Sequence, residues 1–276
     1  MSTAALDLPD GVVYDDDSGM HHIRVLKAGS MLLLYLVDRA SGELEGPQSR
    51  IDLRQPLQLQ ARYTQLALLT LLWVPQPQAI CMLGLAGGRL ARVLHHMLPD
   101  ALLDCVEIDA SMLPIASVLF GVPFDERLRA TVADGRAFLE RGAARRYDII
   151  IMDAFSDHSD ELDHLATAEF YAACDARLAQ GGAMCANMLD GDPRYAAKVA
   201  TFRAAWPHVW LAEHGGGAVL FGSRARLTRH ELSERALQLG GRHGAHFPQE
   251  LAGDLLTPAS WPAALRRVGP ILRDRS

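Results

Sequence analysis

A glycine-rich turn and a series of acids each follow an apolar run in this sequence, a spacing that can gather backbone amides and carboxylates around one ligand. Gly84-Leu85-Ala86-Gly87-Gly88 follows an apolar run directly and precedes Arg89-Leu90. Glycines there let the backbone approach a ligand and expose helix N-terminal amides. A dinucleotide fingerprint needs glycine where the chain has Ala86 and Arg89, which argues against a nicotinamide cofactor. Val106-Glu107-Ile108-Asp109 closes a second apolar run. An acid at that point, Glu107 with Ile108 beside it, can accept hydrogen bonds from both ribose hydroxyls. Ala133-Asp134-Gly135-Arg136 supplies a second carboxylate, Asp134 with Gly135, suited to an adenine amino group. The ordinary role of any of these acids is a helix N-cap, which is the expectation for Asp109 before Ala110-Ser111. Asp153 ends a further apolar run and is followed by Asp157, Asp160, Glu161 and Asp163. A carboxylate there can hold a cationic amine and take its proton. For Asp160, Glu161 and Asp163 the expectation is a solvated loop.

These residues need a scaffold that brings them to one edge. From Ala79 onward strand and helix patterns alternate, with strands expected over Ala79 to Leu85, Leu102 to Asp109, Leu128 to Ala133, Asp148 to Asp153 and Ala183 to Leu189. Such alternation predicts a parallel sheet covered by helices, and an open α/β sheet binds ligands at the carboxyl ends of its strands. After a helix over Pro193 to Trp206, strands over His208 to Glu213 and Ala218 to Ser223 are joined across Gly215-Gly216-Gly217. A connection that short makes a hairpin and not a parallel crossover. A parallel core closed by an antiparallel hairpin is the outline of the Rossmann-like class I S-adenosylmethionine-dependent methyltransferase fold. Before it, residues 1–56 read as a small antiparallel β module, with runs over Gly11 to Tyr14, His21 to Lys27 and Ser30 to Val37. A helix over Leu57 to Trp73 leads out of that module into the nucleoside-binding domain, 57–276. The tail from Leu227 reads as short helices. The few amino-terminal strands leave open edges, so the chain is expected to pair as a homodimer, a mass that light scattering reads.

With those residues in view, the stretch from Ala79 to Leu189 resembles the spermidine synthase (polyamine aminopropyltransferase) family, most of all its bacterial spermidine-synthase-like members. The resemblance rests on Gly84 to Gly88, Val106-Glu107-Ile108-Asp109, Phe120-Gly121-Val122-Pro123, Asp134-Gly135, Tyr147 to Phe155, Glu169-Phe170-Tyr171 and Gly181-Gly182. It implies a transferase whose Asp153 is catalytic and whose donor is S-adenosylmethionine or its decarboxylated form, with an amine or polyamine as acceptor. It further implies substrate contacts from His21, Gln48, Tyr63 and Asp157. Three departures stand out. Family members carry an acid in the glycine loop, where this chain has Ala86. The acidic loop lacks the family's proline and displaces the second acid, Asp157, by one position. The family's Tyr-His-Glu pattern becomes Tyr63-Thr64-Gln65, and Tyr63 also suits a packing role with a wet hydroxyl. Three functions follow: aminopropyl transfer, methyl transfer to a small molecule, or nucleoside binding without catalysis.

Bulk properties narrow the partners. The chain has 276 residues, 49% of them hydrophobic, a net charge of -6 and a pI near 6.0, which disfavours nucleic-acid or anionic-membrane surfaces. Cys81, Cys105, Cys174 and Cys185 sit singly in apolar segments with no metal or disulfide spacing. His158 and His164 lie among the loop carboxylates, but a surface loop of that composition is ordinarily ligand-free, so no metal is expected. The start lacks a secretory signal pattern, and the apolar run Leu66 to Val74 is far short of the roughly 20 residues a bilayer crossing needs, so a cytoplasmic protein is expected.

Overall fold

The computed structural model describes residues 5–44, 46–141, 145–154, 163–266 and 269–274. The amino-terminal sheet contains β1 (Gly11–Asp16), β2 (Ile23–Ala28), β3 (Met31–Leu36) and β4 (Ser49–Asp52), paired antiparallel in that order. Alternate residues of β2 and β3 face inward, as the two-residue period of a half-buried sheet dictates. Ile23, Val25, Leu32, Leu34 and Ile51 form that inner face, and they pack against Met112, Ile115 and Phe120 of the second sheet's cover. The small sheet therefore completes its core within the same chain, while β1 pairs on one side only. Strand β4 is not anticipated by the sequence because its Ser-Arg-Ile-Asp has a single apolar residue.

The expected helix over 57–73 is shorter and changes pitch. It runs as α1 (Arg62–Ala67) and continues as a 3-10 helix, Leu68–Leu72, whose residues are all buried. Then follow β5 (Ala79–Leu83), α2 (Arg89–Met97), β6 (Leu102–Glu107), α3 (Met112–Val118), β7 (Leu128–Val132), α4 (Gly135–Arg141), β8 (Tyr147–Met152), α5 (Ala168–Arg177), β9 (Leu178–Leu189), α6 (Tyr195–Ala205), β10 (His208–His214) and β11 (Gly217–Ser223). The seven strands lie in the order β10-β11-β9-β8-β5-β6-β7. Strands β7, β6, β5, β8 and β9 are mutually parallel, and β11 inserts antiparallel beside β9 so that β10 ends the sheet. This is the class I methyltransferase topology. Strand β5 lies inside the sheet between β8 and β6, with every residue buried. Strand β9 begins before the expected Ala183, and its pairing with β8 shifts register between Tyr147 and Ile149. A Cβ on Gly182 would come 3.0 Å from the Asp148 carbonyl oxygen, so glycine permits that irregularity.

The tail differs from the short helices expected. α7 (Arg229–His243) spans 15 residues and opens on a complete capping box, with Glu231 N–H donating to Thr228 Oγ and Thr228 N–H donating to Glu231. α8 (Ala263–Arg266) follows after further 3-10 turns. All four cysteines are buried and unbridged. Among the described residues no helix is long and apolar enough to cross a membrane.

Candidate functional site

The carboxyl ends of β5, β6, β7 and β8 open into one cavity, roofed by β4 and the start of α1. Gly84, Leu85, Ala86, Arg89, Glu107, Ile108, Asp134, Gly135 and Asp153 line it from the sheet side, and His21, Gln48, Ser49, Tyr63 and Thr64 line it from the amino-terminal side. Glu107, Asp134 and Asp153 face one space because the parallel strands all end at that edge, and His21 joins them because the amino-terminal sheet packs over it.

Glycines in the first turn answer to protein neighbours. Gly84 has φ of 94°, and a Cβ there would fall 2.3 Å from the Asp153 carbonyl oxygen. Gly87 and Gly88, expected to touch the nucleoside, do not line the cavity. A Cβ on Gly87 would meet Ser49 Oγ at 2.6 Å, and one on Gly88 would meet Val122 Cγ2 at 2.5 Å. Their small size seats β4 and α3 against the turn. Between them and Leu85 sits Ala86 at φ of 46°, in the left-handed region that L-residues avoid.

Glu107 is buried and does more than face the cavity. One of its oxygens accepts the N–H groups of Leu85 and Ala86 at 2.8 and 3.2 Å, and the other accepts Asp109 N–H at 3.0 Å. The carboxylate holds the glycine turn in place. Asp109 caps the start of α3 as expected, since Ser111, the residue directly before that helix, makes no side-chain cap bond and the Asp109 carbonyl accepts Met112 N–H at 3.1 Å. Its side chain accepts from Ser111 N–H at 2.9 Å and meets His21 Nδ1 at 2.8 Å, so it anchors His21 at the cavity rim. Asp134 accepts Ala137 N–H at 2.7 Å, as a helix cap does, and also meets His164 Nε2 at 2.7 Å. Burial pushes the Asp134 carboxyl upward, but those hydrogen bonds outweigh it and leave the group below its ordinary value. His164, a histidine among the loop carboxylates, is thereby an Asp134 partner.

The opposite end of the cavity is poorer in partners. Burial raises Asp153 to about 6, opposed among the described residues by an Asn187 hydrogen bond. Asn187 Nδ2 donates to Asp153 Oδ1 at 3.1 Å, and His214 Nε2 lies 2.9 Å from Asn187 Oδ1. With Nε2 protonated, His214 donates to that oxygen and fixes the amide so that its NH2 faces the carboxylate. Tyr63 donates to the Gln48 carbonyl at 3.3 Å, and its ring is tilted against His214 with centroids 6.1 Å apart. Burial and the Asp153 charge hold its phenol well above the ordinary value. Arg89 is only 4% exposed. Its Nη2 donates to the carbonyls of Pro56 and Gln58 at 2.5 and 3.4 Å, whereas Nε and Nη1 find no acceptor among the described residues.

The sequence-derived set therefore converges except at Gly87, Gly88 and Asp157, the last of which lies outside the described residues. Asp163, expected on a solvated loop, is buried and ion-paired with Arg194 and Lys198. Arg89, Asn187, His214 and Ser49 were missed. Asn187 had a usable signal, since it lies near the carboxyl end of β9 beside β8, the strand that Asp153 directly follows.

No protein-family model matches the chain. A polyamine aminopropyltransferase of Chromobacterium violaceum is 30% identical over 237 residues, covering 83% of this chain and 87% of that protein. One from Neisseria meningitidis is 28% identical over 244 residues, 86% of this chain and 90% of its own length. Among solved structures, a probable spermidine synthase from Corynebacterium glutamicum superimposes with a TM-score of 0.69 at 21% identity, covering 86% of this chain and 94% of that one. Human methyltransferase-like protein 13 in complex with SAH gives a TM-score of 0.57 at 28% identity over 65% of this chain and 89% of that one. The structural matches carry the fold, and the sequence match spans most of both chains, so the chain belongs to the polyamine aminopropyltransferase family, a family of transferases.

Proposed function

We propose that the protein transfers a propylamine-type chain from a sulfonium nucleoside of the S-adenosylmethionine class to an amine acceptor of the polyamine class. The observation that carries this reading is Asp153, a carboxylate raised to about 6 on the same cavity wall as Glu107 and Asp134. The nucleoside takes the β5 to β7 end, with its ribose on Glu107 and its adenine beside Ile108, Asp134 and Gly135. The acceptor enters between Asp153, Tyr63, Gln48 and His21. A protonated amine is held by the Asp153 carboxylate, gives up its proton to it, and attacks the methylene carbon bonded to sulfur with the freed lone pair. The C–S bond breaks and its electron pair neutralises the sulfonium, leaving methylthioadenosine.

Asp153→Asn keeps size and removes charge and basicity. Turnover should fall by roughly 100-fold or more while methylthioadenosine affinity holds, measured by product formation and calorimetry. Undiminished turnover would remove Asp153 from the mechanism. Methyl transfer is the second reading, favoured by Ala86 in the glycine turn and by the likeness to a methyltransferase bound to SAH. The released nucleoside, methylthioadenosine or S-adenosylhomocysteine, separates the two.

A further inference from the structure

A cation with unused donors lies buried in the wall of the cavity, and nothing in the proposed reaction has yet employed it. Arg89 is the first residue of α2, directly after the glycine turn, and it lines the cavity beside Leu85 and Ala86. Its Nη2 is tied to two carbonyls of the segment leading into α1, but Nε and Nη1 are buried without an acceptor among the described residues. Buried donors in that state are costly and uncommon, and a guanidinium more so than a neutral group. Among the described residues no acid forms an ion pair with it. The nearby charge is of the same sign: Arg92 lies three residues on, held by the Phe120 carbonyl at 2.7 Å. Burial and Arg92 together lower Arg89 only to about 10, so it stays charged at neutral pH.

The acids of the cavity are otherwise placed. Glu107 and Asp134 are engaged at the nucleoside end, and Asp153 faces the acceptor. The glycine turn offers Ala86 and no carboxylate. A donor tail bearing only an ammonium would thus meet a buried cation and no counter-charge. A tail that also bears a carboxylate would satisfy the guanidinium.

We infer that Arg89 binds the α-carboxylate of the donor, so that the donor is S-adenosylmethionine with its carboxylate retained and the group transferred is a 3-amino-3-carboxypropyl chain. This rests on the transfer reading above and specifies its donor. The bonds that change are those already described: the acceptor nitrogen bonds to the methylene next to sulfur, the C–S pair stays on sulfur, and the acceptor proton goes to Asp153. The carboxylate is a handle that leaves unaltered in the product.

The test uses the full-length protein with S-adenosylmethionine and its decarboxylated form as donors, and putrescine and spermidine as acceptors. Products are identified by mass, and each donor's affinity is measured by calorimetry. The wild type should bind S-adenosylmethionine the more tightly and yield an acceptor carrying an added carboxyl group. Arg89→Met should lose about 100-fold in affinity for S-adenosylmethionine and little for the decarboxylated donor, with Arg89→Lys recovering part of the loss. A wild type that prefers the decarboxylated donor overturns the inference and leaves the transfer reading standing. Equal weakening of both donors by Arg89→Met, with a lowered melting temperature, would make Arg89 a bracket for the 56–58 segment and also overturn it. Release of S-adenosylhomocysteine with a methylated amine would overturn the transfer reading and the assigned group together. Absence of turnover with every pair would sink catalysis alone, because the affinity comparison decides Arg89 without it.

Discussion

The two ends of the cavity hold their charged groups in opposite ways. At the end proposed for the nucleoside each carboxylate is engaged by the protein itself: Glu107 by three backbone N–H groups, and Asp134 by a helix N–H and His164. At the other end, among the described residues, Asp153 has one amide donor, and Arg89, in the wall beside the glycine turn, likewise keeps two nitrogens without an acceptor. The first end is preorganised and its acids build the structure around them. Asp153 and Arg89 hold charge that the described residues do not satisfy, the condition expected where a ligand supplies the missing partner. The same chemical change should therefore have opposite consequences for stability at the two ends.

The largest effect belongs to Glu107. Glu107→Gln leaves one oxygen where three backbone donors converge and turns an NH2 group toward N–H groups. The glycine turn should loosen, with a loss of about 1–3 kcal/mol in stability and a 10- to 100-fold loss in methylthioadenosine affinity. Urea unfolding and calorimetry read the two quantities. An unchanged unfolding midpoint would break the contrast, because it would mean that the turn does not depend on the carboxylate.

Asp153→Asn should move stability the other way. Burial raises the folded-state value to about 6, against an ordinary value of 3.8, so the folded protein holds this proton more tightly than the unfolded chain. The contribution is whole below pH 3.8 and is lost as pH rises through about 6. Asparagine carries no charge to bury. The variant should match the wild type near pH 4 and exceed it by about 2–3 kcal/mol at pH 8, since moving a titration midpoint by one pH unit is worth roughly 1.4 kcal/mol. Wild-type turnover should rise through the same window as the base form appears. A variant less stable than wild type at pH 8 would place Asp153 with the satisfied acids of the other end.

This asymmetry also explains what could be read from the sequence. Strand ends recur with a simple signature, an apolar run closed by an acid, so Glu107, Asp134 and Asp153 were legible along with the sheet that aligns them. The hairpin was legible from Gly215-Gly216-Gly217, since so short a connection excludes a crossover. What Glu107 does for the turn was not, because its partners are main-chain amides that no side-chain pattern encodes. Arg89 and His214 were illegible for a related reason: an arginine opening a helix and a histidine ending a strand look like surface residues until the tertiary fold buries one and sets the other against Asn187. Gly87 and Gly88 were read as ligand contacts, yet their constraint comes from Ser49 and Val122, residues distant in sequence. The capping box at Thr228 and Glu231 was present in the sequence and would have lengthened the expected tail helix.

The smallest effect concerns Ala86, which lies between the two ends. It is the one non-glycine residue with positive φ among the described residues, at 46°. The left-handed conformation costs an L-residue about 1–2 kcal/mol. Glycine removes that cost but gives the unfolded chain more freedom, which offsets about 0.4–1 kcal/mol. Ala86→Gly should therefore gain up to about 1 kcal/mol, a rise of a few degrees at most in melting temperature. Ala86→Val should lose stability, because a branched Cβ fits the left-handed region less well still. Nucleoside affinity should stay level in the glycine variant, since the hydrogen bond from Ala86 to Glu107 comes from its backbone N–H, which glycine retains. A glycine variant that melts lower than wild type would mean that the turn relaxes away from this conformation in solution. Glu107 would then not be holding it, and the nucleoside end would be no better preorganised than the acceptor end.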